Sequence, residues 1–293
     1  MDPCSFANAI PANLIWDIKV DFDSKLINGK ATWILTEPTT TVTLDTSELT
    51  IKSTNGKHQF LEKHSALGTP LKIDFEQPTD KIEIEYSTTD KCSAAKFLDK
   101  NQTLSRTNYL FTQCQAIHAR SLLPCFDAPK LKFKYTATVS LTEKNLQGEF
   151  LVPLMSALKI KTEKTETTQV TSFEQPIPIS SYLLALAVGN LVSAQIGPRS
   201  YVYSEPELIE KCAYEFGETE KFIKAAEDIL TPYVWGLYDI LVLPFSFPFG
   251  GMENPNLTFV TPSLIAGDRS LTDVVAHEIR YIFTHIVTVG LAI

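Results

Sequence analysis

Between Leu14 and Val188 apolar and polar residues mostly alternate, the period-two pattern of strands with one buried and one wet face. The clearest run is residues 130–141. There Leu131, Phe133, Tyr135, Ala137, Val139 and Leu141 alternate with Lys130, Lys132, Lys134, Thr136, Thr138 and Ser140. The same alternation at Trp16, Ile18, Val20 and Phe22, and at Ile82, Ile84 and Tyr86, predicts further strands. Asn28-Gly29 and Ser53-Thr54-Asn55-Gly56 supply turns between such runs. Residues 1–189 are therefore expected to form one mainly antiparallel β domain.

After Gly189 the period changes. Ser204-Glu205-Pro206-Glu207 has the capping-box form, and Leu208, Cys212, Phe216, Ile223, Ala226 and Leu230 follow at helical spacing. That spacing predicts one long helix, interrupted by Gly217 and stopped by Pro232. Residues 241–247 and 257–260 read as short strands. Ser270-Leu271-Thr272-Asp273 predicts the start of a second helix, with Val274, Val275 and Ile279 on its apolar face.

Composition narrows the class. The 293 residues are 44% hydrophobic and 20% charged, which describes a folded protein and excludes long disorder. Lys+Arg 26 against Asp+Glu 34 leaves a net charge of −8, so no positive field gathers phosphates, and neither nucleic acid nor an anionic membrane is an expected partner. Five cysteines, Cys4, Cys92, Cys114, Cys125 and Cys212, form no CxxC pair and read as reduced thiols. The amino end carries Asp2 and Pro3 and no apolar core flanked by Lys or Arg, so no secretory signal is read and a cytoplasmic location is expected. The apolar stretch 281–293 is shorter than the roughly 20 residues a membrane-spanning helix needs.

Three clusters carry candidate chemistry. His277-Glu278 sits on the second predicted helix, where two imidazoles at i and i+4 share one metal and the Glu between them polarises a bound water. Alone, the pair has little specificity and reads rather as a solvated or capped helix face. Position 281, where the second imidazole belongs, is Tyr281. His285 cannot replace it in a regular helix, because it lies about 12 Å along the axis while two zinc-bound nitrogens are at most about 4 Å apart. The second cluster, Pro248-Phe249-Gly250-Gly251-Met252-Glu253-Asn254-Pro255, reads either as a tight turn or as a backbone that another chain can approach, with a carboxylate for an ammonium group. The third, Gln113-Cys114-Gln115 through Pro129, supplies amides and a basic group either to a polar cleft or to buried backbone groups.

In order and spacing these segments, with Tyr214-Glu215-Phe216, Tyr233-Val234-Trp235-Gly236 and Leu243-Pro244, resemble the zinc metallo-aminopeptidases of peptidase family M1, in particular the leukotriene A4 hydrolase branch. Gly-Gly-Met-Glu-Asn followed by His-Glu is highly specific to that family. The resemblance implies a mainly antiparallel β, saddle-like domain at 1–189, then the first part of an α+β thermolysin-like (gluzincin) catalytic domain at 190–279. It makes His277 a first zinc ligand and Glu278 the general base. Glu253 would bind the free α-amine of a peptide, with Pro248, Phe249, Gly250, Gly251, Met252 and Asn254 around it and Gln113, Cys114 and Gln115 lining the cleft. Phe249 stands where a Tyr is expected. The implied activity is removal of N-terminal residues from peptides and, in the leukotriene branch, hydrolysis of a fatty-acid epoxide.

The resemblance stops inside the metal motif. Tyr281 replaces the second His and the third ligand falls beyond the sequence given, so one ligand of three is expected, with weak zinc binding and no turnover. Residues 280–293 read as a divergent apolar tail, with Ile282, Phe283, Ile286, Val287 and Val289 exposed. The alternative is a non-catalytic module that holds peptides or pairs with another subunit.

Overall fold

The computed structural model describes residues 9–290, with side chains to residue 284. In chain order the strands are β1 (Pro11–Asp21), β2 (Leu26–Leu44), β3 (Thr50–Thr54), β4 (Lys57–Phe60), β5 (Leu71–Ser87), β6 (Ala95–Leu98), β7 (Tyr109–Thr112), β8 (Phe133–Leu141), β9 (Val152–Met155), β10 (Leu158–Lys164), β11 (Gln169–Ile179), β12 (Leu186–Gly189), β13 (Val192–Gly197), β14 (Ser200–Ser204), β15 (Asp239–Val242), β16 (Gly251–Met252) and β17 (Leu257–Val260). The α-helices are α1 (Ala119–Leu122), α2 (Ile209–Glu215), α3 (Thr219–Ile229) and α4 (Asp273–Gly290). No helix among the described residues is long and apolar enough to cross a membrane.

The chain divides into two compact units: residues 1–97, 112–143 and 159–184, and residues 98–111, 144–158 and 185–293. The first is built on an eight-stranded sheet of order β10-β11-β8-β1-β2-β5-β3, with β4 also on β5. Alternation sorts its strands as read: in β8 the residues from Phe133 to Leu141 on one face are buried. β1–β2, β2–β5, β3–β5, β4–β5 and β8–β11 pair antiparallel, whereas β1 and β8 run parallel from Asn13↔Lys134 to Lys19↔Ser140. Fully buried aromatics fill the interior. The Trp33 ring meets Phe126 and Phe133 edge-on at 5.1 and 4.7 Å and donates from Nε1 to Pro124 O at 3.0 Å. Trp16 Nε1 donates to the Tyr86 hydroxyl at 2.8 Å, and the Tyr86 ring fills the space a Cβ on Gly29 would take. The Arg120 guanidinium, buried, pairs with Asp127 at 2.8 Å and Asp45 at 3.6 Å; the segment before the last strands of this unit is thus pinned by a satisfied charge network.

In the second unit β12 pairs antiparallel with β7 and β9. A five-stranded sheet follows, of order β13-β14-β15-β17-β16, in which β14, β15 and β17 are mutually parallel and β13 and β16 form antiparallel edges. The single long helix expected over 208–230 is two helices. Its Phe216 carbonyl accepts from Thr219 N at 3.1 Å and Thr219 Oγ1 at 2.7 Å, which closes α2 and starts α3 anew around Gly217. The capping box at Ser204 does not form either: the Ser204 hydroxyl donates to Glu205 O at 2.9 Å, and Glu205, not Ser204, precedes the short turn Pro206–Leu208. The strand expected over 241–247 ends at Val242, ahead of Pro244. α4 starts at Asp273 as read, but Ile282 and Phe283, expected on an exposed tail, are fully buried; Phe283 packs on Tyr233 at 5.6 Å. Ile286, Val287 and Val289 of that tail lie outside the described side chains.

Candidate functional site

On α4 successive side chains point about a quarter-turn apart, so two neighbours need not share an environment. His277 faces solvent. Glu278 is 5% exposed and lies on the buried side with Val275, Ile279 and Ile282. The element that faces Glu278 is β16, whose Gly251 and Met252 pair with Val260 and Phe259 of β17. A Cβ on Gly251 would sit 2.3 Å from Glu278 Oε1 and 2.6 Å from its Cδ, so the carboxylate occupies space that only a glycine leaves open. Gly250 approaches the same helix more loosely, its Cβ position 3.7 Å from Val274 Cγ1, and its carbonyl accepts from Thr261 N at 3.1 Å.

Beyond β16 the chain turns inward. Asn254 N donates to Met252 O at 2.9 Å and Leu257 N to Asn254 O at 3.1 Å, a compact turn that places Glu253 and Asn254 in the interior, 8% and 2% exposed. Asn256 closes it at φ 63°, a left-handed conformation that Asn tolerates, and its amide donates to Trp235 O at 2.7 Å and Leu237 O at 3.1 Å. Two buried carboxylates result, near enough to act on each other. Burial, and then the charge of Glu253, push the Glu278 carboxyl up to about 7. Such a group exchanges its proton near neutral pH.

A metal ion does not fit this donor set. Among the described residues no three His, Cys, Asp or Glu side chains are arranged to hold one. At the second-ligand position the Tyr281 ring lies against the His277 imidazole, centroids 4.8 Å apart and tilted by 49°. A phenol with an ordinary pKa of about 10 is a poor substitute for imidazole at neutral pH.

The other candidates are distributed as follows. Pro248 and Phe249 are exposed just before β16, Met252 is buried, and all belong to the second unit with Gly250, Gly251, Glu253, Asn254, His277 and Glu278. Gln113, Cys114 and Gln115 belong to the first unit. Gln113 is half-buried and donates from its backbone to Ala94 O at 2.8 Å, Gln115 is exposed, and burial raises the Cys114 thiol well above its ordinary range, which keeps it protonated and inert.

One positioning residue escapes sequence reading. Glu215, fully buried at the end of α2, accepts from the backbone N–H of Gly267 and Arg269, both at 2.8 Å, and thereby shapes the loop that leads into α4. Its only signal is a carboxylate set between two aromatic residues, Tyr214 and Phe216.

Comparison with known proteins identifies the family. The Peptidase M1 N-terminal domain profile matches residues 10–183, and the Peptidase family M1 domain profile matches residues 214–289. Leukotriene A-4 hydrolase of Xenopus laevis is 43% identical over 303 residues, covering 97% of this chain and 49% of that protein. Leucine aminopeptidase 2-2 of Meyerozyma guilliermondii is 43% identical over 296 residues, covering 96% of this chain and 45% of its own length. The solved structure of yeast LTA4 hydrolase in complex with bestatin superposes with a TM-score of 0.85 at 39% identity, over 93% of this chain and 43% of that one. The chain thus spans about half the length of the relatives it matches. With both profiles matched in order and identities above 40%, the chain belongs to peptidase family M1.

Proposed function

We propose that these residues form the amine-recognition part of an aminopeptidase site, one that receives the free amino terminus of a peptide. The observation that carries the reading is the placement of buried Glu253 and Glu278 behind β16, an edge strand of its sheet. A peptide added along that edge would bond to backbone at Gly250 and Gly251, where no side chain obstructs it. Its α-ammonium would meet Glu253 in a charge-assisted hydrogen bond. The same cation would offset the repulsion between the two carboxylates. Where a complete metal donor set was present, Glu278, poised near neutrality, would take the proton of an attacking water.

Zinc is what the resemblance implies for such a site, with His277 as one ligand. The described residues do not complete its donor set, so a protein of these 293 residues is expected to bind peptides and not to cleave them. In this reading residues 1–189 are the amino-terminal domain and 190–279 the first part of the catalytic domain. Peptides are the substrate class, with a fatty-acid epoxide expected on the strength of the leukotriene A4 hydrolase relatives alone. A cytoplasmic location, without nucleic-acid or membrane partners, completes it.

Calorimetry on the purified chain tests the reading. A leucine-led tripeptide should bind at least tenfold more tightly than its N-acetylated form, and Glu253→Gln should remove the difference. Equal binding of the two peptides would exclude the amine role. Dialysed protein should carry substoichiometric zinc and leave a leucine arylamide intact; one zinc per chain with turnover would overturn the non-catalytic assignment.

A further inference from the structure

A cavity of about 270 Å³ opens in the second unit at the carboxyl ends of β14, β15 and β17. These strands are mutually parallel, and sheets of parallel strands bind ligands outside their carboxyl ends. Glu205 follows β14 directly, and Leu243 and Phe245 follow β15. The volume lies below the roughly 300–1,000 Å³ of sites for drug-sized molecules, so the cavity suits a small ligand.

Its charges are unusual. Glu205 is 3% exposed and accepts hydrogen bonds from Ser105 N at 2.9 Å, Ser105 Oγ at 2.6 Å and Leu104 N at 3.2 Å. All three donors are neutral, and no cation pairs with it among the described residues. Oε2 receives only the longest of these bonds and keeps acceptor capacity. The loop that brings the donors is held in place, Thr103 Oγ1 donating to Thr107 O at 2.8 Å. From the same loop Arg106 lines the cavity, its guanidinium engaged by a single 3.3 Å bond to Asn101 Oδ1. A buried carboxylate and a guanidinium thus border one space without pairing with each other. The walls between them are apolar, with Leu104, Leu208, Leu243 and Phe245; Leu104 and Phe245 are 40% and 69% exposed at the rim.

We propose that this cavity binds a free α-amino acid with an apolar side chain, its ammonium on Glu205, its carboxylate on Arg106 and its side chain against the leucines. A zwitterion is the small ligand that meets both charges at once, and the guanidinium fork is matched to a carboxylate. The inference stands on this cavity and does not depend on the amine-recognition reading above.

Binding of L-leucine to the full chain, measured by calorimetry or saturation-transfer NMR, tests it. N-acetyl-leucine lacks the ammonium and leucinamide lacks the carboxylate; each should bind at least tenfold more weakly. Arg106→Gln, an exposed change that leaves the fold intact, should weaken leucine at least tenfold and abolish the preference over leucinamide. Leucine held at Glu253 instead would be lost in Glu253→Gln and kept in Arg106→Gln, so the two variants separate the sites. The proposal fails if leucine does not bind, if Arg106→Gln binds it like the parent chain, or if Glu253→Gln rather than Arg106→Gln removes it.

Discussion

At the scale of single residues, the contact between Gly251 and Glu278 shows how closely β16 and α4 are fitted. An alanine methyl at 251 would lie 2.3 Å from the Glu278 carboxylate oxygen, well inside van der Waals contact, so the carboxylate must leave its place. Gly251→Ala is expected to destabilise the chain by about 1–3 kcal/mol, the usual cost of overpacking. In a Glu278→Ala background most of that loss should vanish, because the clash has no partner; a thermal or urea double-mutant cycle reads the coupling. Additive losses would mean that something other than Glu278 restricts position 251. His277 and Glu278 are adjacent in sequence and easily noticed as a pair. Which of them is buried depends on how α4 rotates against β16, and the two letters alone do not carry that.

At the scale of elements, the approach to α4 depends on a residue two helices back in the chain. Glu215 at the end of α2 holds the amides of Gly267 and Arg269. Glu215→Ala removes the acceptor of both part-buried bonds, and losing these two hydrogen bonds to a charged group is expected to cost roughly 1–3 kcal/mol in all. Hydrogen exchange at Gly267 and Arg269 should accelerate while exchange in β1 and β8 stays unchanged; undisturbed protection at 267 and 269 would exclude the positioning role. Local pattern is a good guide to element type here and a poor one to element ends. Helical spacing continues through Phe216 and Gly217, but the Thr219 side chain satisfies the Phe216 carbonyl and two helices form instead. Similarly, Phe283 reads as part of an exposed tail until Tyr233 supplies a surface to cover it.

At the scale of the whole molecule, stability should respond to pH through carboxylates perturbed in opposite directions. Hydrogen bonds from Arg199, then from the Tyr233 amide, hold Glu227 down at about 2, so its contribution is complete above its ordinary value of 4.5 and is lost as pH falls toward 2. Glu278 has the reverse sign. Raised from 4.5 to about 7, it binds more protons folded than unfolded between those values, so stability falls as pH rises through that window, by up to about 3 kcal/mol in the metal-free chain. Urea unfolding at pH 5 and pH 8 should show this loss in the parent chain and not in Glu278→Gln. Parallel pH profiles would mean that Glu278 is not buried against Glu253.

Consecutive residues alone carried the alternation of β1 and β8, the passage from a β-rich first part to a mixed second part, and the segments through which the chain resembles family M1. These are local properties: side-chain alternation, turn chemistry and short motifs are written in consecutive residues. Tertiary structure decided the parallel pairing of β1 with β8, the inward turn of Glu253 and Glu278, and the gathering of Glu205, Arg106 and Leu243 around one cavity. Each of these joins residues that are far apart in the chain or sets the rotation of one element against another. Their energies depend on distance and burial, which exist only once the sheets have formed.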